Sequence, residues 1–294
     1  MGSDSALSWG KQRIDVQVRD KTHSLDSNCP LQPLPKEIEE RNMPNSRCGA
    51  NDFLIPDAPW VAPPLTRVLE QLRRIRNAAR QRTVRKSYSQ FGEDLYCLQF
   101  LPEAKGHYLD IGSGHPVRGS NTFLLYQRGW SGILIDPIMR YANIASRRRK
   151  RDSFLHGILG LDAAEGSFYE FTPSEISTVS RQHAVDLIAR HCGRLLRVDP
   201  MGNLAWSDLN LTISPEEPFL LSIDVETAEM SVLKSLDFTS FQPRVICIED
   251  SEGAMLPTTS VANHLSEIGY LWAGAVGPSR IMVHTRYLKL QGLT

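Results

Sequence analysis

The chain has 294 residues, of which 33 are basic and 33 acidic. That length can bury one large domain with an extension, and the balanced charge excludes a global field that would draw the molecule to nucleic acid or to an anionic membrane. The five cysteines form no Cys-x-x-Cys pair, so neither a disulfide framework nor a zinc site is indicated. Without a signal-peptide pattern or a span of about 18 apolar residues, we expect a soluble cytoplasmic protein with no membrane insertion.

The N-terminal part differs in composition from the rest. Residues 1–64 are rich in proline and polar residues and hold no regular period, so we expect a flexible extension. Residues 65–86 place apolar side chains at helical spacing and many arginines elsewhere, which predicts a basic amphipathic helix. Its basic face is either solvated or used to bind a partner, and the first reading is favoured. A second basic run, Arg147–Arg151, ends a later predicted helix, where we expect it to face water.

Residues 87–294 alternate apolar strands with helical segments, which indicates an α/β domain with a mostly parallel central sheet and helices on both faces. The predicted strands are His107–Ile111, Gly132–Ile135, Ser153–Ile158, Phe219–Ile223 and Arg244–Ile248. The predicted helices begin near Asn121, Met139, Glu229 and Val261. An insert before Phe219 combines two strands, Ser167–Phe171 and Leu195–Val198, with a helix over Arg181–His191. The closing segments Tyr270–Ala273 and Arg280–His284 predict an antiparallel hairpin.

The first chemical signal is an apolar strand that ends in an acid and a Gly-x-Gly turn, with Asp110, Gly112 and Gly114. Glycines at the carboxyl end of a parallel strand let the backbone approach a nucleotide-like ligand closely. A dinucleotide-binding turn would carry a third glycine and begin its helix at once. Here a loop follows from His115 to Asn121, which disfavours NAD, and the acid suits a ligand with a cationic amino group.

Three further strands also end in acids. Asp136 ends the second strand, where an acid can accept hydrogen bonds from both hydroxyls of a ribose. Asp224 ends the strand at Phe219–Ile223, and Glu249 and Asp250 end the next one. Because the carboxyl ends of parallel strands meet at one rim, we expect these acids to share a ligand site. The pair Asp110 and Asp136 indicates a nucleoside and fits NAD as well as S-adenosylmethionine.

Several motifs occur in a consistent order over about residues 87–250. They are Ser89-Gln90-Phe91-Gly92-Glu93-Asp94, Tyr108-Leu109-Asp110-Ile111-Gly112, Ser120-Asn121-Thr122, Gly129-Trp130-Ser131-Gly132, Ile135-Asp136-Pro137, Ser177-Thr178-Val179, Ile223-Asp224-Val225-Glu226 with Glu229, and Ile248-Glu249. In these motifs the chain resembles the FkbM-type methyltransferases. The resemblance implies a Rossmann-like class I methyltransferase fold, S-adenosylmethionine as donor, and methyl transfer to a hydroxyl of a small molecule such as a sugar, a polyketide or another secondary metabolite.

The resemblance also implies roles for individual residues. The cofactor-binding residues would be Asp110, Gly112, Gly114, Asn121, Asp136 and Asp224. Among them, Asp136 would hold the ribose hydroxyls and Asp224 would lie near the methyl group. Thr227 departs from the family, which has a glycine after the Val-Glu pair, and its Cβ is expected to narrow the acceptor pocket or alter the turn. The insert lies where class I methyltransferases often build an acceptor lid.

Two routes for the acceptor's proton remain open. In the first, His115 or Asp224 accepts the proton directly. In the second, Asp224 binds Mg²⁺ together with Glu249 and Asp250, and the cation lowers the pKa of the acceptor hydroxyl. The alternative of a different class is a non-catalytic protein that keeps the fold and acts as a binding or scaffolding module through residues 1–86.

Overall fold

The computed structural model describes residues 7–9, 12–14, 86–160, 166–209 and 211–290. Most of the predicted N-terminal extension lies outside these residues, apart from two short antiparallel strands, β1 (Leu7–Trp9) and β2 (Gln12–Ile14). The predicted basic helix over 65–86 also lies outside the described residues, apart from Lys86.

The described elements follow the predicted alternation. The later strands are β3 (His107–Ile111), β4 (Ser131–Asp136), β5 (Ser153–His156), β6 (Ile158–Leu159), β7 (Ser167–Thr172), β8 (Arg194–Pro200), β9 (Asn203–Leu204), β10 (Phe219–Ile223), β11 (Val245–Glu249), β12 (Tyr270–Val276) and β13 (Ser279–His284). The helices are α1 (Glu93–Cys97), α2 (Phe123–Gln127), α3 (Met139–Arg148), α4 (Arg181–Ala189), α5 (Glu229–Ser235), α6 (Ser260–Glu267) and α7 (Thr285–Leu290). Two 3₁₀ turns cover Ser174–Ile176 and Trp206–Leu209.

Seven strands form one sheet in the order β12-β13-β11-β10-β3-β4-β5. The pairs from β11 to β5 are parallel, whereas β13 runs antiparallel to both of its neighbours. The prediction of a mostly parallel sheet with a C-terminal antiparallel hairpin is therefore confirmed. From β3 the chain proceeds to one side through β4 and β5, and it later builds β10 and β11 on the other side. Such a reversal opens a crevice at the carboxyl ends of the strands, where open α/β sheets bind ligands.

Both faces of the sheet are buried, which explains the continuously apolar central strands. On β10, Leu221 and Ile223 pack into one core with α5 and α6, whereas Leu220 packs into a second core with α1, α2 and α7. Because successive side chains of a strand point to opposite faces, a strand covered on both faces must be apolar at nearly every position. Helices on both faces were predicted on that ground, and the two cores confirm it.

The insert lies between β6 and β9 and is tied to α3. Its strands β7 and β8 pair antiparallel, and Phe171 of β7 packs with the apolar face of α4. Glu170 on β7 is buried and forms ion pairs with Arg140 of α3 and with Arg197 of β8. The Tyr141 hydroxyl of α3 lies 2.6 Å from the Ser174 hydroxyl. These contacts hold the segment after β7 over the crevice.

The second basic run does not behave uniformly. Arg147, Arg148, Lys150 and Arg151 are exposed, as predicted, but Arg149 is completely buried. The prediction that the whole run faces water is therefore wrong at this one position. The backbone leaves helical geometry at Arg149, and the chain then turns toward β5, which points this side chain into the protein.

None of the helices within the described ranges combines the length and the apolar character that crossing a membrane requires.

Candidate functional site

A cavity of about 300 Å³ opens at the carboxyl edge of the sheet, where the strand order reverses. Its wall is built from the ends of β3, β4, β10 and β11, the loops that follow them, and the insert segment 174–179. The predicted site residues on this wall are Gly112, Gly114, His115, Asp136, Asp224 and Glu249. The structure thus brings together residues from four separate strand ends.

The glycine turn after β3 forms one part of the wall. Gly112 has a φ of +71°, its N–H donates to the Ile135 carbonyl at 2.9 Å, and a Cβ at this position would overlap the carbonyl oxygen of Asp224. Only glycine combines this conformation with so close an approach between β3 and β10. Between the glycines, the Oγ of Ser113 is buried on the cavity wall with no hydrogen-bond partner. A buried hydroxyl without a partner is costly, so a ligand that bonds to it gains free energy.

Asp136 is buried at the end of β4. Its two carboxylate oxygens accept hydrogen bonds from the backbone N–H groups of Gly114, at 2.7 Å, and Ile138, at 2.8 Å. Burial nevertheless raises the pKa of Asp136 to about 7. A carboxylate has roughly four acceptor positions. The two backbone N–H groups use two of these positions, so two remain to accept hydrogen bonds from a ligand, for example from the two hydroxyls of a ribose.

The cavity beside Asp136 is apolar. Ile138, Ile158, Leu159 and Phe168 line it there, and Ile158 and Leu159 form β6. An aliphatic and aromatic slot next to an acid suits a planar base attached to a ribose. Ile158 and Phe168 were predicted as strand residues but not as site residues, because an apolar pattern does not distinguish a cavity wall from the core.

Three carboxylates lie together at the other end of the cavity, at the carboxyl ends of β10 and β11. Asp224, Glu226 and Glu249 each offer an oxygen, and these oxygens lie within 4.8 Å of one another. The pKa of each group is raised, first by burial and also by the neighbouring acids. Asp224 keeps solvent contact through the cavity although protein surrounds it. An all-oxygen set of this kind suits a hard cation, a cationic group or a donor hydroxyl.

Glu226 was not predicted as a site residue, and its backbone conformation explains why it reaches the other two acids. Glu226 and Thr227 have φ values of +50° and +82°, which are uncommon for residues other than glycine. The Thr178 hydroxyl of the insert donates to the Glu226 carbonyl at 3.0 Å and helps to hold the turn. The signal available in the sequence was the motif Ile223-Asp224-Val225-Glu226, in which Glu226 follows the acid at the strand end by two positions.

Asp250 does not join Asp224, Glu226 and Glu249, which together are called the acid group below. Its carboxylate accepts hydrogen bonds from Arg280 Nε at 2.8 Å and from the Thr259 hydroxyl at 2.6 Å, and both charged side chains are fully buried. Adjacent residues at a strand end point to opposite sides, so Glu249 can face the cavity only if Asp250 faces away. The structure therefore contradicts the predicted metal set at Asp250, and Glu226 is the third acid beside Asp224 and Glu249.

Asp110 and Asn121 lie behind the cavity wall rather than on it. Asp110 accepts a hydrogen bond from the Thr122 hydroxyl at 2.6 Å, and Asn121 donates to the Ser222 hydroxyl at 3.2 Å. Burial raises the pKa of Asp110, and the positive charge of Arg149 opposes that rise. Neither side chain lines the cavity. The prediction that these two side chains contact the donor directly is therefore contradicted by the structure. They instead support the loop between β3 and α2 from behind the cavity.

His115 lines the cavity, but its ring is engaged. Its Nδ1 accepts from the backbone N–H groups of Val117 and Arg118, both at 3.1 Å, which leaves the proton of the neutral ring on Nε2. Burial lowers the pKa of His115, so the neutral form is favoured. Because its lone pair already accepts from the backbone, the ring is poorly suited to the predicted role of base.

The cavity wall is strongly acidic. It carries five carboxyl side chains, Asp136, Glu175, Asp224, Glu226 and Glu249, against one guanidinium, that of Arg118. Because the pKa values of Asp136, Asp224, Glu226 and Glu249 are raised, these carboxyls are partly protonated near neutral pH, and a bound cation favours their ionised form. In that form the wall attracts cations and repels phosphate groups. A dinucleotide with its anionic pyrophosphate is therefore a poor ligand for the wall, and a nucleoside that carries positive charge is a good one.

Comparison with known proteins gives a distant structural likeness. No protein-family model matches the chain, so the FkbM-type resemblance stays a prediction. No curated protein matches it either. Among solved structures the chain is similar to an O-methyltransferase from Bacillus cereus in complex with SAH, with 14% sequence identity and a TM-score of 0.31 over 80% of this chain and 94% of that chain. A TM-score this low carries no argument about this chain.

Proposed function

We propose that this protein is an S-adenosylmethionine-dependent methyltransferase with a Rossmann-like class I fold, which methylates a hydroxyl of a small molecule. The observation that carries the proposal is the polarity of the cavity, which joins a buried acid and an apolar slot at one end to three acids at the other. S-adenosylmethionine has a matching layout, because a neutral adenosine is linked to a methionine part whose sulfonium and ammonium groups outweigh its one carboxylate.

The sheet supports this donor over NAD. The dinucleotide-binding fold has six parallel strands in the order 3-2-1-4-5-6. Here the antiparallel β13 stands between β11 and β12, and the cavity wall offers phosphate groups an acidic surface. In the proposed mode Asp136 accepts from the ribose hydroxyls, and Ser113 offers its unpaired Oγ to the amino-acid part of the donor.

Methyl transfer from a sulfonium requires that the acceptor oxygen be aligned and that its proton be removed. We assign proton removal to the acid group rather than to His115. Asp224 follows Ile223 at the end of β10 and its backbone contacts Gly112, so it lies beside the donor site. Acids with raised pKa values are better proton acceptors than ordinary carboxylates once they are ionised.

A divalent cation is the second way to handle the proton. Asp224, Glu226 and Glu249 would hold it, and hard oxygen ligands suit Mg²⁺. When bound, such an ion lowers the pKa of an acceptor hydroxyl. Measuring methyl transfer with Mg²⁺ and with a chelator distinguishes the two routes.

The proposal is tested by thermal unfolding with S-adenosylmethionine. A ligand at about 100 times its Kd stabilises the folded state by about 2.7 kcal/mol. We expect a shift for the parent and for Glu267→Ala, which changes an exposed acid of α6, but none for Asp136→Ala. A parent that S-adenosylmethionine does not shift contradicts the proposal. A parent that binds the donor but methylates nothing in a panel of small-molecule alcohols points to the non-catalytic alternative.

A further inference from the structure

Arg149 is a buried cation at the end of α3, and all three nitrogens of its guanidinium form contacts. Its Nε lies 2.5 Å from the Asp152 carboxylate, and both side chains are almost fully inaccessible. The other two nitrogens donate to the carbonyl of Pro116 at 3.2 Å and to the hydroxyls of Ser120 at 3.3 Å and Thr122 at 2.8 Å. The guanidinium therefore joins the end of α3 to the loop between β3 and α2.

That loop carries much of the donor side of the cavity. Ser113, Gly114, His115, Arg118 and Gly119 all line the wall. The loop contains no regular element, so its shape depends on the contacts behind it. Arg149 supplies several of these at once, in a planar arrangement that a lysine cannot reproduce.

The contacts continue to the sheet on both sides of Arg149. The Thr122 hydroxyl accepts from Arg149 and donates to Asp110 of β3 at 2.6 Å. Asp152 accepts from the Tyr108 hydroxyl at 2.8 Å and from the Gly132 N–H at 2.9 Å. The loop is thereby fixed relative to β3 and β4, whose ends present the glycine turn and Asp136.

We propose that Arg149 is a positioning residue, which sets the affinity for the methyl donor by holding the loop 113–122 in its binding shape. The inference rests on the proposed function for the identity of the ligand. Arg149 does not line the cavity and acts only through the loop. A purely structural role would lower the stability of the fold without changing the affinity of the protein that remains folded.

The test compares Arg149→Lys with a matched control, Arg244→Lys. Arg244 is also buried, pairs with Glu103 at 2.5 Å and donates to the Pro215 carbonyl at 3.1 Å, but it lies just before β11 at the opposite edge of the sheet. Titration with S-adenosylhomocysteine at a temperature where each variant is folded gives its Kd. We expect Arg149→Lys to raise the Kd at least about tenfold and Arg244→Lys to change it by less than about twofold.

Two further readouts keep the inference falsifiable. Thr122→Val removes one hydroxyl of the same network while keeping its shape, and we expect a smaller rise in Kd of about threefold or more. Amide hydrogen exchange at Val117 and Arg118 should accelerate in Arg149→Lys and stay at the parent rate in Arg244→Lys. Equal Kd values and equal loop exchange in the parent and Arg149→Lys would overturn the inference. If the parent binds no S-adenosylhomocysteine, the proposed function fails, and the exchange rates alone then decide the role of Arg149 in the loop.

Discussion

Gly112→Ala adds a side chain at a position of the site where the backbone of Asp224 leaves no room for one. The residue has a φ of +71°, and a Cβ would overlap the Asp224 carbonyl oxygen. The left-handed conformation costs an alanine about 1 kcal/mol or slightly more. Forcing β3 and β10 apart adds an overpacking cost of about 1–3 kcal/mol. We therefore expect Gly112→Ala to lower the free energy of unfolding by about 3 kcal/mol.

Gly114→Ala is the matched control for this change. Gly114 has a φ of +57°, and a Cβ there would meet no atom within 4 Å. Only the conformational cost of about 1 kcal/mol applies. Urea unfolding of the two variants and the parent measures the difference. If both variants lose the same stability, the close contact between the glycine turn and Asp224 is not present in the protein.

Three other predictions concern the acids and the strained turn. The pKa of Asp136 is raised to about 7, so the unliganded protein should lose stability as the pH rises from about 4 to about 7. Its affinity for S-adenosylhomocysteine should increase over the same range, which calorimetry of the parent measures. Asp136→Asn should bind weakly at every pH. Thr227→Gly removes a β-branched residue at a φ of +82°, so it should raise the free energy of unfolding, measured by urea unfolding, by about 1 kcal/mol. A lower free energy of unfolding in this variant would show that the turn is unstrained. Asp250→Asn removes the charge that pairs with the buried Arg280 and should lower the free energy of unfolding by about 3–5 kcal/mol in the same assay. It should leave Mg²⁺ binding unchanged. A stable variant with weakened Mg²⁺ binding would show that Asp250 belongs with Asp224, Glu226 and Glu249.

The sheet could be predicted from sequence because its strands are short apolar runs with sharp ends. Strands β3 and β10 have the predicted bounds, and β11 is displaced by one residue, from Arg244–Ile248 to Val245–Glu249. Burial on both faces leaves a local signal that needs no knowledge of distant contacts. The common rim of acids follows from the parallel arrangement alone, and Asp136 and Asp224 were found in this way.

The direction of individual polar side chains could not be predicted so easily. Glu249 and Asp250 are neighbours with the same chemistry, and only the strand geometry shows which one faces the cavity. Asp110 forms a hydrogen bond with Thr122, and Glu226 enters the acid group through an uncommon turn. Arg149 stands among exposed basic residues, so composition indicated solvent where the backbone turns inward. Each of these outcomes depends on one side chain and its partners, which a pattern averaged over a segment does not resolve.

The most direct test of the account is calorimetric titration of the full chain with S-adenosylmethionine, using NAD as the competing ligand. The acidic cavity predicts saturable binding of S-adenosylmethionine and none of NAD, with the heat of binding lost in Asp136→Ala. Binding of NAD in place of S-adenosylmethionine, or S-adenosylmethionine binding that Asp136→Ala leaves unchanged, would contradict the assignment of this cavity as the methyl-donor site.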